Sequence, residues 1–118
     1  MKLGTVMLHV GNAGSLEEVR RWYEDHLDLK VGGVNPGESV FYETNGGTTL
    51  ALHIGPVLEH PERITLYFEV DDIDNVHQRL DSDGVVFRQT PRDRHWGARV
   101  AETADPVGHS VHLMSWRS

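Results

Sequence analysis

The stretch Thr5-Val6-Met7-Leu8-His9-Val10 has a counterpart in Thr65-Leu66-Tyr67-Phe68-Glu69-Val70, and each stretch precedes a predicted helix. Their separation is 65 − 5 = 60 residues. The segment 47–52 is answered by the segment 108–113 at a separation of 108 − 47 = 61 residues. Because one spacing joins a strand, a helix and a strand-rich tail, the repeat predicts two copies of a single supersecondary unit. We expect the functional chemistry to lie between the copies.

Composition narrows the classes of protein that need to be considered. The chain has 118 residues, enough for one domain made of two halves but not for two independently stable domains. It has no cysteine, which excludes a disulfide framework, a thiolate metal site and a thiol nucleophile. No stretch approaches the ~20 apolar residues of a membrane span. A net charge of −7 argues against nucleic-acid binding and mildly favours cationic or neutral ligands. We expect a cytoplasmic protein with no nucleic-acid or membrane partner.

The first half of the chain is typical of a βαβββ unit. Alternation over residues 3–10 indicates a half-buried strand. Ser15 and Glu18 have the spacing of a capping box, which predicts a helix that ends at about Leu27. Further strands are predicted over residues 31–34, 39–44 and 48–54, with Asn45-Gly46-Gly47 as a hairpin turn.

The second half repeats this order. Residues 63–70 predict a strand, Asp71 or Asp72 caps a helix that runs to about Ser82, and Gly84 occupies the position just after the helix. Further strands are predicted over residues 85–89, 98–104 and 109–115, with Asp105-Pro106-Val107-Gly108 as the last tight turn. The predicted fold is α+β, in one domain with module one at 1–54, a proline-containing linker at 55–62 and module two at 63–118.

Five motifs together give the chain a resemblance to a known family. In chain order they are Leu8-His9-Val10, Trp22-Tyr23-Glu24-Asp25-His26-Leu27-Asp28-Leu29, Phe68-Glu69-Val70-Asp71-Asp72-Ile73-Asp74, Trp96-Gly97-Ala98-Arg99 and Asp105-Pro106-Val107-Gly108-His109. The chain resembles the vicinal oxygen chelate superfamily of glyoxalase I, fosfomycin-resistance enzymes, extradiol dioxygenases and bleomycin-resistance proteins. The resemblance implies tandem βαβββ modules whose mixed sheets curl into a cup, usually in a homodimer. It does not define a reaction, because one fold hosts many functions.

The metal-ligand positions of the superfamily's enzymes can be compared with this sequence. The resemblance places them at Thr5, Ala51, Thr65 and His112, of which only His112 is a good ligand. A catalytic metal site generally needs three protein donors, so the sequence predicts no metal cofactor. The alternative is a displaced divalent metal site built from His9, His53, Glu69 and His112, which would make the protein a metal-dependent lyase, isomerase or dioxygenase of the glyoxalase type.

The same strand faces suggest a binding site for an organic molecule. Alternation predicts a shared inward face for Met7, His9, His53, Tyr67, Glu69, Ser110, His112, Met114 and Trp116. This mixture of thioether, aromatic and sparse polar groups suits a flat, partly polar compound. Trp96 lies in the polar stretch 92–99, as an aromatic lid over a ligand or as a static hydrophobic plug.

The sequence therefore predicts a dimeric, metal-free protein that sequesters a hydrophobic or aromatic small molecule. The bleomycin-resistance branch would make this compound an antibiotic or a related natural product. Nucleophilic catalysis has no supporting motif, and a binding protein is favoured over an enzyme. Two further alternatives are metal-free acid–base catalysis by His112 or Glu69, and a cup filled by its own side chains.

Overall fold

The computed structural model describes residues 1–117, which form two compact units that divide between Glu59 and His60. The first unit contains β1 (Thr5–His9), α1 (Ala13–Leu27), β2 (Lys30–Asn35), β3 (Ser39–Glu43) and β4 (Thr49–His53). The second contains a 3₁₀ turn (Pro61–Arg63), β5 (Thr65–Glu69), α2 (Ile73–Ser82), β6 (Phe87–Asp93), β7 (Ala98–Ala104) and β8 (Ser110–Trp116). The predicted α+β class and the tandem βαβββ order are confirmed.

Each unit has one four-stranded mixed sheet, and the two sheets have the same topology. The strand orders are β1-β4-β3-β2 and β5-β8-β7-β6. In each unit the first strand runs parallel to the last, with Thr5 opposite Thr49 and Thr65 opposite Ser110. These paired positions differ by 65 − 5 = 60 and 110 − 49 = 61 residues, so the repeat seen in the sequence is a repeat of strand register.

Helix α1 begins earlier than its predicted capping box. The helix starts at Ala13, and its N-cap is Asn12, whose side-chain oxygen accepts from the backbone N–H of Ser15 at 2.9 Å. Ser15 therefore lies inside the first turn, and the Ser15–Glu18 capping box is wrong. Asn is as good an N-cap residue as Ser, and the capping bond to the third helical residue explains why Asn12 takes this role.

Helix α2 follows its sequence signals closely. Asp72 is the N-cap and accepts from the backbone N–H of Asn75 at 3.2 Å. The helix ends at Ser82, and Gly84 follows with a φ of +91°, a left-handed conformation that glycine adopts without a Cβ penalty. Within residues 1–117 neither helix has the length and apolarity needed to cross a membrane.

Strand β6 differs from its predicted range of 85–89. It runs from Phe87 to Asp93 and includes Pro91, which the prediction treated as a breaker. Proline is tolerated because β6 is an edge strand of its sheet, where a missing N–H on the open side breaks no ladder bond. The loop that carries Trp96 is accordingly shorter than 92–99, and forms a tight turn between β6 and β7 in which the N–H of Gly97 donates to the carbonyl of Arg94 at 3.2 Å.

Alternation along the strands separates a helix-packed face of each sheet from a helix-free face. In β1 Leu8 is buried whereas Met7 and His9 are exposed. In the second unit the Ser115 hydroxyl accepts from the N–H of Ile73 at the start of α2, which marks the helix-packed side of β8. The residues that alternate with Ser115 lie on the opposite face. We call this opposite face the helix-free face of the second sheet.

The turn before β8 is held by one buried carboxylate. Asp105 Oδ1 accepts from the backbone N–H groups of Val107, Gly108 and His109 at 2.9 to 3.1 Å. Asp105 Oδ2 lies 2.8 Å from His109 Nδ1, and both side chains are almost fully buried. His109 was expected to support this turn, and the structure confirms that role.

Candidate functional site

The centre of the helix-free face of the second sheet is a row of paired side chains. Tyr67 on β5 and Glu102 on β7 are both register partners of His112 on β8. The rings of Tyr67 and His112 meet edge to face with their centroids 4.8 Å apart. An exposed phenol, a partly buried imidazole and a carboxylate therefore lie side by side across three strands.

Three large aromatic side chains are in contact on this face and remain open to solvent. We call Tyr67, Trp96 and Trp116 the aromatic group. Trp96 lies between the other two, with centroid distances of 6.2 Å to Tyr67 and 5.8 Å to Trp116, both edge to face. The side chains are 51%, 40% and 60% exposed, respectively. Large rings are normally buried, so their shared exposure marks this face as a candidate binding surface.

The strands beside the aromatic group form an apolar floor. Ala98, Val100 and Met114 make a cluster of buried side chains. Val100 is the register partner of Met114, and Ala98 is the partner of Trp116. The floor is thus continuous with the aromatic group, and Met114 is only 4% exposed in this unliganded arrangement.

A charged chain borders the same face. Arg94 Nη1 lies 3.3 Å from Glu102 Oε2, and Glu102 Oε1 lies 3.6 Å from His112 Nε2. Burial lowers the pKa of His112 below its ordinary value of 6.5, although the charge of Glu102 acts in the opposite direction. A neutral ring that presents Nε2–H to Glu102 leaves Nδ1 as an acceptor, and this buried atom has no hydrogen-bond partner among the described residues.

Ser110 is occupied by the protein itself. Its hydroxyl donates to the carbonyl of Glu62 at 2.7 Å and accepts from Arg88 Nη1 at 3.2 Å. A bound molecule would therefore meet the Arg88 guanidinium at this position before it met the serine.

The first unit places a smaller polar group on its own sheet. His9 and His53 are register partners, with ring centroids 6.0 Å apart. His53 Nδ1 lies 2.5 Å from the carbonyl oxygen of Ile54, and its Nε2 lies 3.5 Å from Glu38 Oε1. Met7 shares the exposed side of β1 with His9. Met7, His9 and His53 thus form one group, in a different unit from Tyr67, Glu69, Trp96, Ser110, His112 and Met114.

The residues present do not fit the divalent metal of the superfamily's enzymes. At the ligand positions, Ala51 has no donor atom, and Thr5 and Thr65 offer only hydroxyls. Among residues 1–117 no set of three or more histidine and carboxylate side chains is arranged to hold a metal ion. Of the displaced set, Glu69 accepts the indole N–H of Trp116, and His112 faces Glu102.

Several site residues were missed from the sequence. Arg88 and Glu38 were not considered, and Trp116 was placed on the inward face but left out of the predicted site. Trp116 continues the alternation of His112 and Met114, so its period-two spacing was a usable signal. Arg88 gave no such signal, because β6 has register irregularities on either side of Gln89 that break simple alternation.

Comparison with known proteins identifies the family. The family model described as the Glyoxalase/Bleomycin resistance protein/Dioxygenase superfamily matches residues 6–113. The chain belongs to this superfamily. The match spans both βαβββ units, as expected for a superfamily whose fold is a tandem pair of modules. Comparison with curated proteins found no significant match.

Solved structures of the superfamily share the fold at low identity. A glyoxalase/bleomycin resistance protein/dioxygenase from Nocardioides has a TM-score of 0.79 and 23% identity, over 100% of this chain and 85% of that one. TnmS3, an antibiotic binding protein from Streptomyces sp. CB03234, has a TM-score of 0.82 and 22% identity, over 98% and 96%. A lactoylglutathione lyase from Agrobacterium tumefaciens has a TM-score of 0.76 and 19% identity, over 97% and 92%.

These neighbours include both a binding protein and an enzyme, so the likeness shows the fold and leaves the function to the site. Membership of the bleomycin-resistance branch stays a prediction.

Proposed function

We propose that this superfamily member binds and sequesters a flat hydrophobic or aromatic small molecule without a metal cofactor. The observation that carries the proposal is the exposed aromatic group, Tyr67, Trp96 and Trp116, beside a buried apolar floor. Rings in offset or edge contact attract a further flat ring, and an apolar floor rewards its burial.

The side chains at the metal-ligand positions support the metal-free part of the proposal. Thr5, Ala51 and Thr65 supply few or no donors, so His112 has no partners there with which to share an ion. His112, with its lowered pKa, is instead suited to exchange a neutral hydrogen bond with a ligand or with water.

We include a homodimer in the proposal, because the resemblance implies one. The expected result of light scattering at micromolar concentration is a mass of twice the 13.3 kDa of the chain. A mass of one chain at every concentration would remove this part and leave the binding proposal in place.

The binding proposal is tested with a neutral flat probe, 9-anthracenemethanol, read by quenching of tryptophan fluorescence. We expect saturable binding that is unchanged by EDTA, and recovery of the probe unmodified. Trp96→Ala should weaken binding about tenfold, as expected for the loss of one aromatic contact. Trp22→Phe, on helix α1 in the other unit, is the matched control and should bind as wild type.

Two outcomes would overturn the proposal. The first is an absence of saturable binding. The second is stoichiometric retention of zinc, iron, manganese or nickel that is lost in His112→Ala, which would favour a metal-dependent lyase, isomerase or dioxygenase.

A further inference from the structure

Arg88 lies across the helix-free face of the second sheet. It is on edge strand β6, yet its Nη1 reaches Ser110 Oγ on β8 at 3.2 Å. Strand β7 lies between them, and the residue of β7 that pairs with Ser110 is Ala104. A methyl side chain at that position leaves room for the arginine stem to pass over β7, so the guanidinium lies along the sheet.

The charge of Arg88 is not neutralised by the protein. No carboxylate of residues 1–117 lies within ion-pair distance of it. By contrast, Arg94 on the same face is paired with Glu102, and Arg99 is paired with Asp74 at 2.9 Å. A guanidinium has five N–H donors in a planar fork. The bond to Ser110 uses one of them, which leaves donors free for a ligand.

The guanidinium is close to the aromatic group. Ser110 and His112 are successive side chains on one face of β8, which places them about 6 to 7 Å apart. His112 in turn is in ring contact with Tyr67 at 4.8 Å. A molecule that stacks on the aromatic group therefore has Arg88 within reach of a substituent at its edge.

Local charge on this face differs in sign from the charge of the whole chain. The net charge of −7 mildly favours cationic or neutral ligands. Beside His112, however, Arg88 and Arg94 contribute two positive charges against one from Glu102, and both arginines act to lower the pKa of His112. Long-range charge is screened over about 8 Å at physiological ionic strength, whereas a direct guanidinium pair is not.

We propose that Arg88 is an anion-binding subsite, so that the molecule held by the aromatic group is a flat aromatic compound with a carboxylate or similar planar anionic group. The inference rests on the proposed function and adds the chemical class of its ligand. A carboxylate matches the guanidinium fork in two parallel hydrogen bonds, which a neutral alcohol cannot form.

The experiment compares two probes that share one ring system, 9-anthracenecarboxylate and neutral 9-anthracenemethanol. We expect wild type to bind the carboxylate about tenfold or more tightly than the alcohol, with a preference that decreases as salt is raised. Arg88→Gln should abolish the preference by weakening only the carboxylate. Arg88→Lys, which keeps the charge without the fork, should retain part of it.

The control is Arg21→Gln, which removes the same charge from an exposed position on helix α1 in the other unit and should keep the wild-type preference. The wild-type comparison needs no variant, so it decides the matter even if Arg88→Gln folds poorly. Equal binding of both probes by wild type would overturn the anion subsite and leave the proposed function intact. A preference that survives in Arg88→Gln would also overturn it. Failure of both probes to bind would remove the proposed function and this inference together.

Discussion

The indole N–H of Trp116 donates to Glu69 Oε1 at 2.5 Å, although the tryptophan is 60% exposed. The bond joins the last residue of β8 to the last residue of β5. A large ring near the end of a chain would otherwise be free to rotate, and the carboxylate holds it beside Trp96. Glu69 therefore orders one wall of the aromatic group before any ligand arrives.

Removal of that carboxylate should loosen Trp116. In Glu69→Ala we expect lower tryptophan anisotropy and a red-shifted emission, because the indole loses its hydrogen-bond acceptor and becomes more hydrated. Glu69→Gln keeps an acceptor oxygen and should resemble wild type. The comparison is best made in a Trp22→Phe background, where only Trp96 and Trp116 emit. Identical anisotropy in Glu69→Ala and wild type would contradict an ordering role.

The fold could be predicted because the repeat carries it. The match between residues 5–10 and 65–70 defines two equivalent units, and the same spacing reappears in the pairing of Thr5 with Thr49 and Thr65 with Ser110. Local boundaries were harder to predict. Asn12 and Ser15 are both good caps, and their competition is decided by backbone geometry that the sequence does not state.

The site could be predicted only in part. Period-two alternation placed Tyr67, Glu69 and His112 on one face, and these residues are neighbours in the second sheet. The contact of Trp96 with Tyr67 depends on the turn between β6 and β7, and the reach of Arg88 depends on an irregular edge strand. Alternation cannot express either feature. Whether the first-unit residues Met7, His9 and His53 share a ligand with the second unit stays a prediction.

His112 should titrate below its ordinary pKa of 6.5, because its ring is desolvated by burial. The unfolded chain then takes up this proton first as pH falls, so the contribution of His112 to stability is lost as pH drops below about 6.5. NMR titration of the histidine Cε1–H signal that disappears in His112→Gln measures the pKa directly. A value above 6.5 would show that Glu102 outweighs burial.

Glu102→Gln should lower the pKa of His112 further, because it removes the negative charge that favours the imidazolium. Glu38→Gln, beside His53 in the other unit, is the matched control and should leave the His112 signal unchanged. A rise in the pKa of His112 in Glu102→Gln would be incompatible with the arrangement of Arg94, Glu102 and His112 described above.

Tyr42 should contribute to stability through its buried hydroxyl. It is fully buried and donates to Glu24 Oε2 at 2.8 Å, the same oxygen that accepts from Arg20 Nε. Burial raises the pKa of Glu24, but the bonds from Arg20 and Tyr42 outweigh it and lower the pKa overall. Tyr42→Phe should cost about 1 to 3 kcal/mol in urea denaturation at pH 7, as expected for a bond to a charged group.

The deficit in Tyr42→Phe should shrink as pH falls through the lowered pKa of Glu24, because a protonated carboxyl no longer benefits as a charged acceptor. Tyr67→Phe is the control, since its ring is half exposed and should change stability by less than about 0.5 kcal/mol. A Tyr42→Phe variant as stable as wild type at pH 7 would mean that the bond to Glu24 adds nothing in solution.

Asp105 should be among the most costly single residues to replace. Its carboxylate accepts from three backbone N–H groups and contacts the buried His109, so Asp105→Ala leaves several buried polar groups without partners. We expect a loss of about 2 to 4 kcal/mol in the free energy of unfolding. Asp105→Asn keeps one acceptor oxygen for the backbone and should lose less. Asp81→Ala, an exposed carboxylate on α2, is the control for charge and should stay within about 0.5 kcal/mol of wild type. Equal losses in Asp105→Asn and Asp105→Ala would mean that the contact with His109, and not the backbone bonds, holds the turn that leads into β8.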